Sequence, residues 1–205
     1  MIALVDYGGG NLKSVANAIY ALGYEFTLTS DPKELLSAQA VILPGVGAAA
    51  DTIGGLKAKG LDEAIKELVK RDIPLLAICV GMQVLFDSTE EGNKTKCLGI
   101  LKGEVKRLPD GVKIPQMGWN QLKQRVSHPI FEGIPDGADF YFVHSYYASP
   151  ADKHIIGATT DYGVDFCSLV ISKRLIATQF HPEKSGSYGL KLYQNFFKMA
   201  LGDKK

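Results

Sequence analysis

Residues 74–83 have the sequence PLLAICVGMQ, and this stretch decides the fold class. The apolar run from Pro74 to Ile78 is too short for a core helix and is typical of a fully buried strand. Apolar residues then return at helical spacing from Gly81 to Phe86, so that Cys79 lies where a strand leads at once into a helix. We therefore predict that Cys79 is presented on a nucleophile elbow.

Two features of this turn favour a reactive cysteine. Ala77 and Gly81 lie two residues on either side of Cys79, and small residues are needed where such a turn brings backbones together. A thiol at a helix N-terminus also feels the positive end of the helix dipole, which favours the thiolate. For an isolated cysteine, however, a small buried hydrophobic residue is the commoner interpretation.

The elements before and after this stretch indicate a parallel sheet, because strands and helices alternate. Strands are predicted from Met1 to Asp6, from Tyr24 to Thr29 and from Ala40 to Leu43. Helices are predicted from Asn11 to Leu22, from Asp31-Pro32 onward with Asp31 as the N-cap, and from Leu61 to Lys70.

The second half of the chain changes character, with short strands separated by Gly, Pro and Asp. A last helix is predicted from Tyr188 to Leu201, and neither a repeat nor a linker composition interrupts the chain. We expect one mixed α/β domain over residues 1–205. The predicted strands of this half are Ile100 to Leu108, Phe140 to Ala148, Ile155 to Thr160, Val164 to Ile171 and Leu175 to Phe180.

Charge and composition exclude several classes of function. The chain has 23 basic and 22 acidic residues, so no net field attracts it to nucleic acid or to an acidic membrane surface. There is no signal-like start and no run of about 18 apolar residues, which predicts a cytoplasmic protein. Cys79, Cys97 and Cys167 form no CxxC pair and are odd in number, which disfavours disulfides and a zinc site. We expect neither a metal nor a cofactor.

The glycine-rich segment Gly8-Gly9-Gly10 follows the first strand but is a weak nucleotide signal. Lys13 stands where a GxGxxG fingerprint requires its last glycine, and no P-loop sequence is present. We interpret the segment as a tight turn with positive φ angles, with Asn11 as the N-cap of the helix.

A second stretch, LIATQFHPE at residues 175–183, supplies the groups that a nucleophilic cysteine needs. Alternation along a strand would place His181 and Glu183 on one face, and Pro182 favours an extended His181. His181 can then take the thiol proton while Glu183 orients the imidazole. Taken alone, His181 could equally be a hydrogen-bonded core residue.

A third stretch, VILPGVG at residues 41–47, ends a strand in a flexible glycine loop that can aim backbone amides at an oxyanion. By itself it could be any turn. In an open parallel sheet, however, the carboxyl ends of the strands meet in one crevice, and all three stretches lie at such ends. We expect them to converge.

Together these stretches resemble the class I glutamine amidotransferases, in which Cys, His and Glu hydrolyse glutamine on a flavodoxin-like open sheet with helices on both faces. Further motifs resemble the glutaminase subunits of imidazole glycerol phosphate synthase over nearly the whole chain. Two departures are Val80, where leucine is common, and Gln116, where histidine is often found. The motifs are DYGGGN at 6–11, PGVG at 44–47, MGWN at 117–120, YFVHSY at 141–146 and HPEKS at 181–185.

The resemblance implies a role for each candidate site residue. Cys79 would attack the glutamine side-chain amide, His181 would protonate the leaving ammonia, and Glu183 would orient His181. The amides of Val80 and Val46 would stabilise the oxyanion, the latter after a peptide flip in a loop that is closed without a partner. Glu91 could instead belong to a solvated charge pair with Glu90. The implied substrate-binding residues are Gly47, Gln83, Glu91, Ser145 and Tyr146.

The resemblance also implies a protein partner, a (β/α)8-barrel cyclase subunit that receives the ammonia and makes imidazole glycerol phosphate and an aminoimidazole carboxamide ribotide. Asn11, Trp119 and Asn120 are the candidate contact residues, although Trp119 could equally be a core anchor. A glutaminase for a different synthase and a non-catalytic binding module on the same fold remain open alternatives.

Overall fold

The computed structural model describes residues 1–202, and most of its strands belong to one large sheet. The helices are α1 (Leu12–Ala21), α2 (Pro32–Ser37), α3 (Ala49–Ala58), α4 (Leu61–Lys70), α5 (Val80–Gln83) and α6 (Gly186–Leu201). The strands of the first half are β1 (Ile2–Val5), β2 (Phe26–Thr29), β3 (Ala40–Leu43), β4 (Leu75–Ile78), β5 (Ser88–Thr89) and β6 (Thr95–Lys96). The later strands are β7 (Gly103–Arg107), β8 (Gln116–Gln121), β9 (Lys123–Gln124), β10 (Asp139–His144), β11 (Tyr146–Pro150), β12 (Ile156–Asp161), β13 (Asp165–Ser172) and β14 (Leu175–Thr178).

The sheet is parallel in one part and largely antiparallel in the other. Strands β2, β1, β3, β4 and β14 pair in that order, all parallel. Strands β13, β11 and β7 follow antiparallel, with β5 and β6 at the far edge, while β8 and β10 form a separate antiparallel pair. This arrangement confirms the predicted mixed α/β class.

Burial explains why the central strands are parallel. Every residue of β1, β3, β4 and β14 is buried, as expected for strands covered on both faces. The helices form two groups that suit two opposite faces, because α1 packs against α6 whereas α2 and α3 both pack against α4. Within residues 1–202 no helix is long and apolar enough to cross a membrane.

Several predicted boundaries and elements are wrong for local reasons. Helix α3 was not predicted, since its alanines and two glycines give little apolar periodicity. Strand β8 and the two-residue strands β5, β6 and β9 were also not predicted. The single strand predicted from Phe140 to Ala148 is two strands in different sheets, β10 and β11, which part at Ser145.

The glycine turn after β1 is as predicted, but its cap is not. Gly8 and Gly10 have φ angles of +92° and +93°. Asn11 is at the N-cap position of α1, yet its side chain makes no capping hydrogen bond. Asp31 does cap its helix, accepting from the Lys33 amide at 2.8 Å. A Cβ on Gly10 would lie 3.1 Å from Pro44, so this turn lies against the glycine loop that follows β3.

Candidate active site

Cys79 is on a strained turn between β4 and α5, as the sequence predicted. Its φ and ψ angles are +54° and −110°, a region that residues with a side chain rarely adopt. The Cys79 amide donates to the Thr178 carbonyl at 2.6 Å, which continues the pairing of β4 with β14. A Cβ on Gly81 would lie 2.5 Å from the Leu43 carbonyl oxygen, so the turn requires glycine there.

The glycine loop after β3 packs directly against this turn. A Cβ on Gly45 would lie 2.1 Å from the Gly81 nitrogen and 2.8 Å from the Val80 carbonyl carbon. Val80 is the first residue of α5, so its amide has no acceptor within the helix. The next loop residues are exposed, with Val46 at 39% and Gly47 at φ +86°. Both candidate oxyanion residues therefore lie beside Cys79.

His181 and Glu183 form a buried pair. Nδ1 of His181 lies 2.8 Å from Oε1 of Glu183, and each side chain is only 1% exposed. The predicted reason was partly wrong: β14 ends at Thr178, and Glu183 reaches the ring through a 3₁₀ turn over Pro182–Lys184. His181 itself is extended, as the proline predicted. Its carbonyl accepts from the Ser185 hydroxyl at 2.6 Å, which fixes the backbone.

The surroundings of His181 favour its cation. Burial, the largest single influence, lowers the pKa of His181, but the interactions of its ring with Cys79 and Glu183 together outweigh burial and raise the pKa well above its usual value. Nε2 of His181 and Oε2 of Glu183 are buried without a conventional partner in the described chain. The arrangement is suited to a pair of opposite charges, Cys79 thiolate and His181 imidazolium.

A second buried histidine in the same region behaves in the opposite way. Burial lowers the pKa of His144 to about 4, so its ring is neutral near pH 7. Nδ1 lies 2.8 Å from the Tyr146 carbonyl oxygen, and Nε2 lies 2.9 Å from the Gln116 side-chain amide. A carbonyl oxygen can only accept, so the single ring proton is on Nδ1. The atom of Gln116 placed against Nε2 is Oε1, so we assign the Gln116 amide in the flipped orientation, in which its NH₂ group donates to Nε2. His144 is therefore a structural link and not a second base.

The convergence predicted from the three stretches is found in one pocket of about 390 Å³. Glu183 lies behind His181, and Asn11, Trp119 and Asn120 are outside the pocket lining. Pro115, Val143, His144 and Lys184 also line it, although sequence reasoning gave them no role. The predicted residues that line the pocket are Val46, Gly47, Cys79, Val80, Gln83, Glu91, Ser145, Tyr146 and His181.

The polar wall of this pocket is held by hydrogen bonds. Nε2 of Gln83 donates to the Tyr146 carbonyl at 2.8 Å and to Oε1 of Gln179 at 3.0 Å. Oε2 of Glu91 accepts from the Ala49 amide at 2.7 Å, at the N-terminus of α3. Glu90 likewise accepts from a backbone amide, that of Arg107 at 2.7 Å. Glu91 is thus tied to α3, whereas Glu90 is exposed to solvent.

Trp119 is not a core anchor, because 58% of its surface is exposed. It shares one face of β8 with Met117, which is 64% exposed, and its ring lies 6.1 Å from that of Tyr141 in an edge-on contact. Lys184 in turn lies 5.9 Å from the Tyr141 ring. Asn120 instead has partners in its own chain, since Nδ2 donates to the Asp161 carbonyl at 2.9 Å.

Comparison with known proteins agrees with this fold. The family model for glutamine amidotransferase class-I matches residues 3–200. A crystal structure of a glutamine amidotransferase superposes with a TM-score of 0.77 at 20% identity, over 98% of this chain and 99% of that one. The structure of PurLQS from Thermotoga maritima superposes with a TM-score of 0.76 at 20% identity, over 97% of each chain. The chain belongs to the class I glutamine amidotransferases.

Relatives of much higher sequence identity show to which family within this class the chain belongs. The imidazole glycerol phosphate synthase subunit HisH of Dehalococcoides mccartyi (strain CBDB1) is 94% identical over the full length of both chains. HisH of Chloroflexus aurantiacus (strain ATCC 29364 / DSM 637 / Y-400-fl) is 52% identical, over 98% of this chain and 96% of the relative. Within its class, the chain belongs to the HisH family of glutaminase subunits of imidazole glycerol phosphate synthase.

Proposed function

We propose that Cys79, His181 and Glu183 hydrolyse glutamine to glutamate and ammonia, and that the ammonia passes to a cyclase subunit. The observation that supports this most directly is the buried His181–Glu183 pair, at 2.8 Å, beside a strained cysteine in a pocket of about 390 Å³. A buried ion pair of this kind is typical of sites that activate a nucleophile.

The reaction begins when His181 accepts the thiol proton and Sγ of Cys79 attacks the side-chain carboxamide carbon. His181 then gives this proton to the amide nitrogen, and the C–N bond breaks. Ammonia departs, and a γ-glutamyl thioester of Cys79 remains. Water attacks the thioester as His181 takes its proton, and the C–S bond breaks to release glutamate and regenerate the thiol. Glu183 holds Nδ1 and stabilises the imidazolium at each stage.

The two oxyanion amides differ in how firmly they are held. Val80 is buried at the start of α5, so its amide is preorganised. Val46 is in the exposed part of the glycine loop, next to Gly47, whose Cβ position is open. We infer that the Val46 amide completes the site when a partner stabilises the turned loop, so that the isolated chain has low activity.

The amino-acid end of glutamine is zwitterionic, and the pocket has groups of both kinds for it. Gln83 uses its NH₂ group within the wall, which leaves Oε1 to accept from the α-ammonium, and the Glu91 carboxylate has the opposite charge. We assign the α-carboxylate to Gly47, Ser145 and Tyr146, which line the same pocket.

A subunit implies a partner, and we propose a HisF-like (β/α)8-barrel cyclase. The exposed Met117 and Trp119 favour a contact there, because large apolar residues together on a surface commonly mark interfaces. Asn11 follows the glycine turn that packs on Pro44, so a partner touching it would also touch the oxyanion loop. Asn120 would act through the β8 backbone it supports.

We also infer one domain and a cytoplasmic location. The buried apolar residues form one continuous cluster that joins both halves of the chain. All three cysteines are buried and free, which suits a reducing compartment.

The test is glutamine hydrolysis by the wild-type chain and Cys79→Ala, each with and without the cyclase and its ligand. We expect strong stimulation of the wild type and no hydrolysis by the variant. Hydrolysis by Cys79→Ala would overturn the mechanism, and no hydrolysis under any condition would favour a non-catalytic module. Full activity without partner would contradict the closed loop, and failure to transfer ammonia would favour another synthase.

A further inference from the structure

Gln179 is fully buried in contact with the nucleophile, and no step of the mechanism above uses it. Its Nε2 lies 3.6 Å from Sγ of Cys79, a normal distance for an N–H···S hydrogen bond. Its backbone is fixed as well, because the Gln179 amide donates to the Ser168 carbonyl at 2.9 Å. The side chain therefore occupies one defined position beside the sulfur.

The direction of the Gln179 amide follows from its neighbours. The Tyr146 carbonyl can only accept a hydrogen bond, so the group of Gln83 that lies 2.8 Å from it must be the NH₂ group. The same NH₂ group lies 3.0 Å from Gln179, which must therefore present its oxygen. The Gln179 NH₂ group is then left facing Cys79, as a donor to the sulfur.

The sulfur has a different partner in each protonation state. A neutral thiol can donate, and the Val143 carbonyl oxygen lies 3.9 Å from Sγ. A thiolate can only accept, and Gln179 is the side-chain amide positioned to donate to it. A hydrogen bond to a charged group is stronger than one to its neutral form, so the contact with Gln179 favours the anion.

We propose that Gln179 is a further catalytic residue, which stabilises the thiolate of Cys79 through its side-chain amide and aims the sulfur into the pocket. This inference rests on the proposed function, in which that thiolate is the nucleophile. His181 supplies the positive charge of the pair, and Gln179 supplies a neutral donor on another side of the sulfur. Gln83 orients this donor and is thereby linked to the nucleophile as well as to the pocket.

The test uses the full chain and measures the rate at which iodoacetamide modifies Cys79 from pH 5 to 10, with mass spectrometry to locate the label. Gln179→Met keeps the length of the side chain and removes the donor. Loss of a hydrogen bond to a charged group predicts about tenfold slower labelling at pH 7 and a midpoint moved to higher pH. Gln179→Glu keeps an acceptor for Gln83 but places a carboxylate near the sulfur, so the midpoint should move further.

The matched control is Ser168→Ala on the neighbouring strand β13. Its hydroxyl is buried without a hydrogen-bond partner in the described residues, so its removal tests packing near Gln179 without touching the sulfur. We expect the wild-type labelling profile. The titratable groups around Cys79, which are His181, Tyr7 and the pocket residues His144, Glu91 and Lys184, stay unchanged in every variant.

The outcomes separate this inference from the proposed function, because labelling needs no glutamine turnover. Wild-type labelling profiles in folded Gln179→Met and Gln179→Glu would overturn the role of Gln179, even if glutamine hydrolysis is normal. Should Gln179→Met fail to fold by circular dichroism, Gln179→Leu takes its place as the variant that removes the donor without adding a charge. A shift in Ser168→Ala equal to that in Gln179→Met would also overturn the proposal, since packing would then explain both.

Discussion

Nδ1 of His181 lies 2.8 Å from Oε1 of Glu183, and both side chains are almost completely buried. The second oxygen of the carboxylate has no hydrogen-bond partner within residues 1–202, so the charge of Glu183 is directed at the imidazole. A negative charge held this close to a ring strongly stabilises the imidazolium, because little water is present to screen the attraction. The first prediction concerns this charge.

Glu183→Gln keeps a side chain of the same shape and removes its charge. We expect the pKa of His181 to fall and the kcat for glutamine hydrolysis with partner to drop by about 10²- to 10⁴-fold, as when the carboxylate of a triad is neutralised. Steady-state kinetics at several pH values measure both. Glu63→Gln is the control, because Glu63 is an exposed residue of α4 paired with Lys66, and it should leave kcat unchanged.

The two buried histidines should give the free energy of unfolding a maximum near pH 6.5. The pKa of His144 is lowered to about 4. Its contribution to the free energy of unfolding is therefore complete above about pH 6.5 and is lost as pH falls toward 4. The pKa of His181 is raised, so its contribution is complete below about 6.5 and is lost as pH rises through the raised value.

Urea unfolding at pH 4.5, 6.5 and 8.5 measures both effects. His144→Gln should flatten the acid side by up to about 3 kcal/mol, and His181→Gln should flatten the alkaline side. The pH dependence of each variant is compared with that of the wild type, so titrating groups that do not interact with the substituted histidine cancel. Variants whose unfolding free energies run parallel to the wild type at all three pH values would contradict this assignment.

A glutamine-like electrophile should modify Cys79 and spare the other two cysteines. Burial raises the pKa of Cys97 to about 11 and that of Cys167 to about 12, so neither has appreciable thiolate at neutral pH. Mass spectrometry after reaction with a diazo-oxo-norleucine-type analogue locates the label. As a control, a general thiol reagent in denaturant should modify all three cysteines. Equal labelling of the three cysteines by the glutamine analogue in the native chain would refute the prediction.

Gly45→Ala should reduce activity and stability together. Its Cβ would lie 2.1 Å from the Gly81 nitrogen, so either the glycine loop or the cysteine turn must move. We expect destabilisation by about 1–3 kcal/mol, typical of an overpacked site, and loss of most hydrolysis. Gly54→Ala is the control: this exposed glycine of α3 has open space at its Cβ, and alanine there should raise stability by about 0.5–1 kcal/mol.

Trp119→Ala should weaken partner binding without changing the fold. The side chain is 58% exposed, so little core packing is lost, whereas exposed tryptophans are frequent binding hot spots. We expect the Kd for the cyclase to rise by about 30-fold or more, measured by calorimetry or surface plasmon resonance. Leu28→Ala on edge strand β2, where Leu28 is 49% exposed, should leave the Kd unchanged. Equal affinities for Trp119→Ala and the wild type would exclude Trp119 from the interface.

The parallel half of the fold was predictable because strands buried on both faces give short unbroken apolar runs, as at Ala40 to Leu43 and Leu75 to Ile78. Helix α3 was not, because its alanines and glycines carry little apolar signal and it is held partly by Glu91, which is 42 residues distant from Ala49 in sequence. The break between β10 and β11 at Ser145 could not be predicted, because both strands are rich in apolar and aromatic residues and look like one run. Local pattern does not show which sheet a strand joins.

The candidate site was predictable to the extent that its residues are adjacent to strand ends. Cys79, His181 and the PGVG loop follow β4, β14 and β3, and parallel strands bring their carboxyl ends together. Gln179 was in the same quoted stretch as His181 and received no role. Its contact with Cys79 spans 100 residues of sequence and depends on the direction of a side chain, which spacing alone does not determine.

The glycine loop has two parts that differ in how tightly they are packed, because Gly45 is in close contact with Gly81. Gly45 packs against the cysteine turn and Pro44 against the turn at Gly10, whereas Gly47, with φ at +86°, has no atom within 4 Å of its Cβ position. We propose that a change in the direction of the Val46 amide is a rotation of peptide planes next to this fixed point, not the opening of a lid. Under this proposal, a partner that activates the enzyme would need to hold only that short segment, and the rest of the pocket would keep its shape.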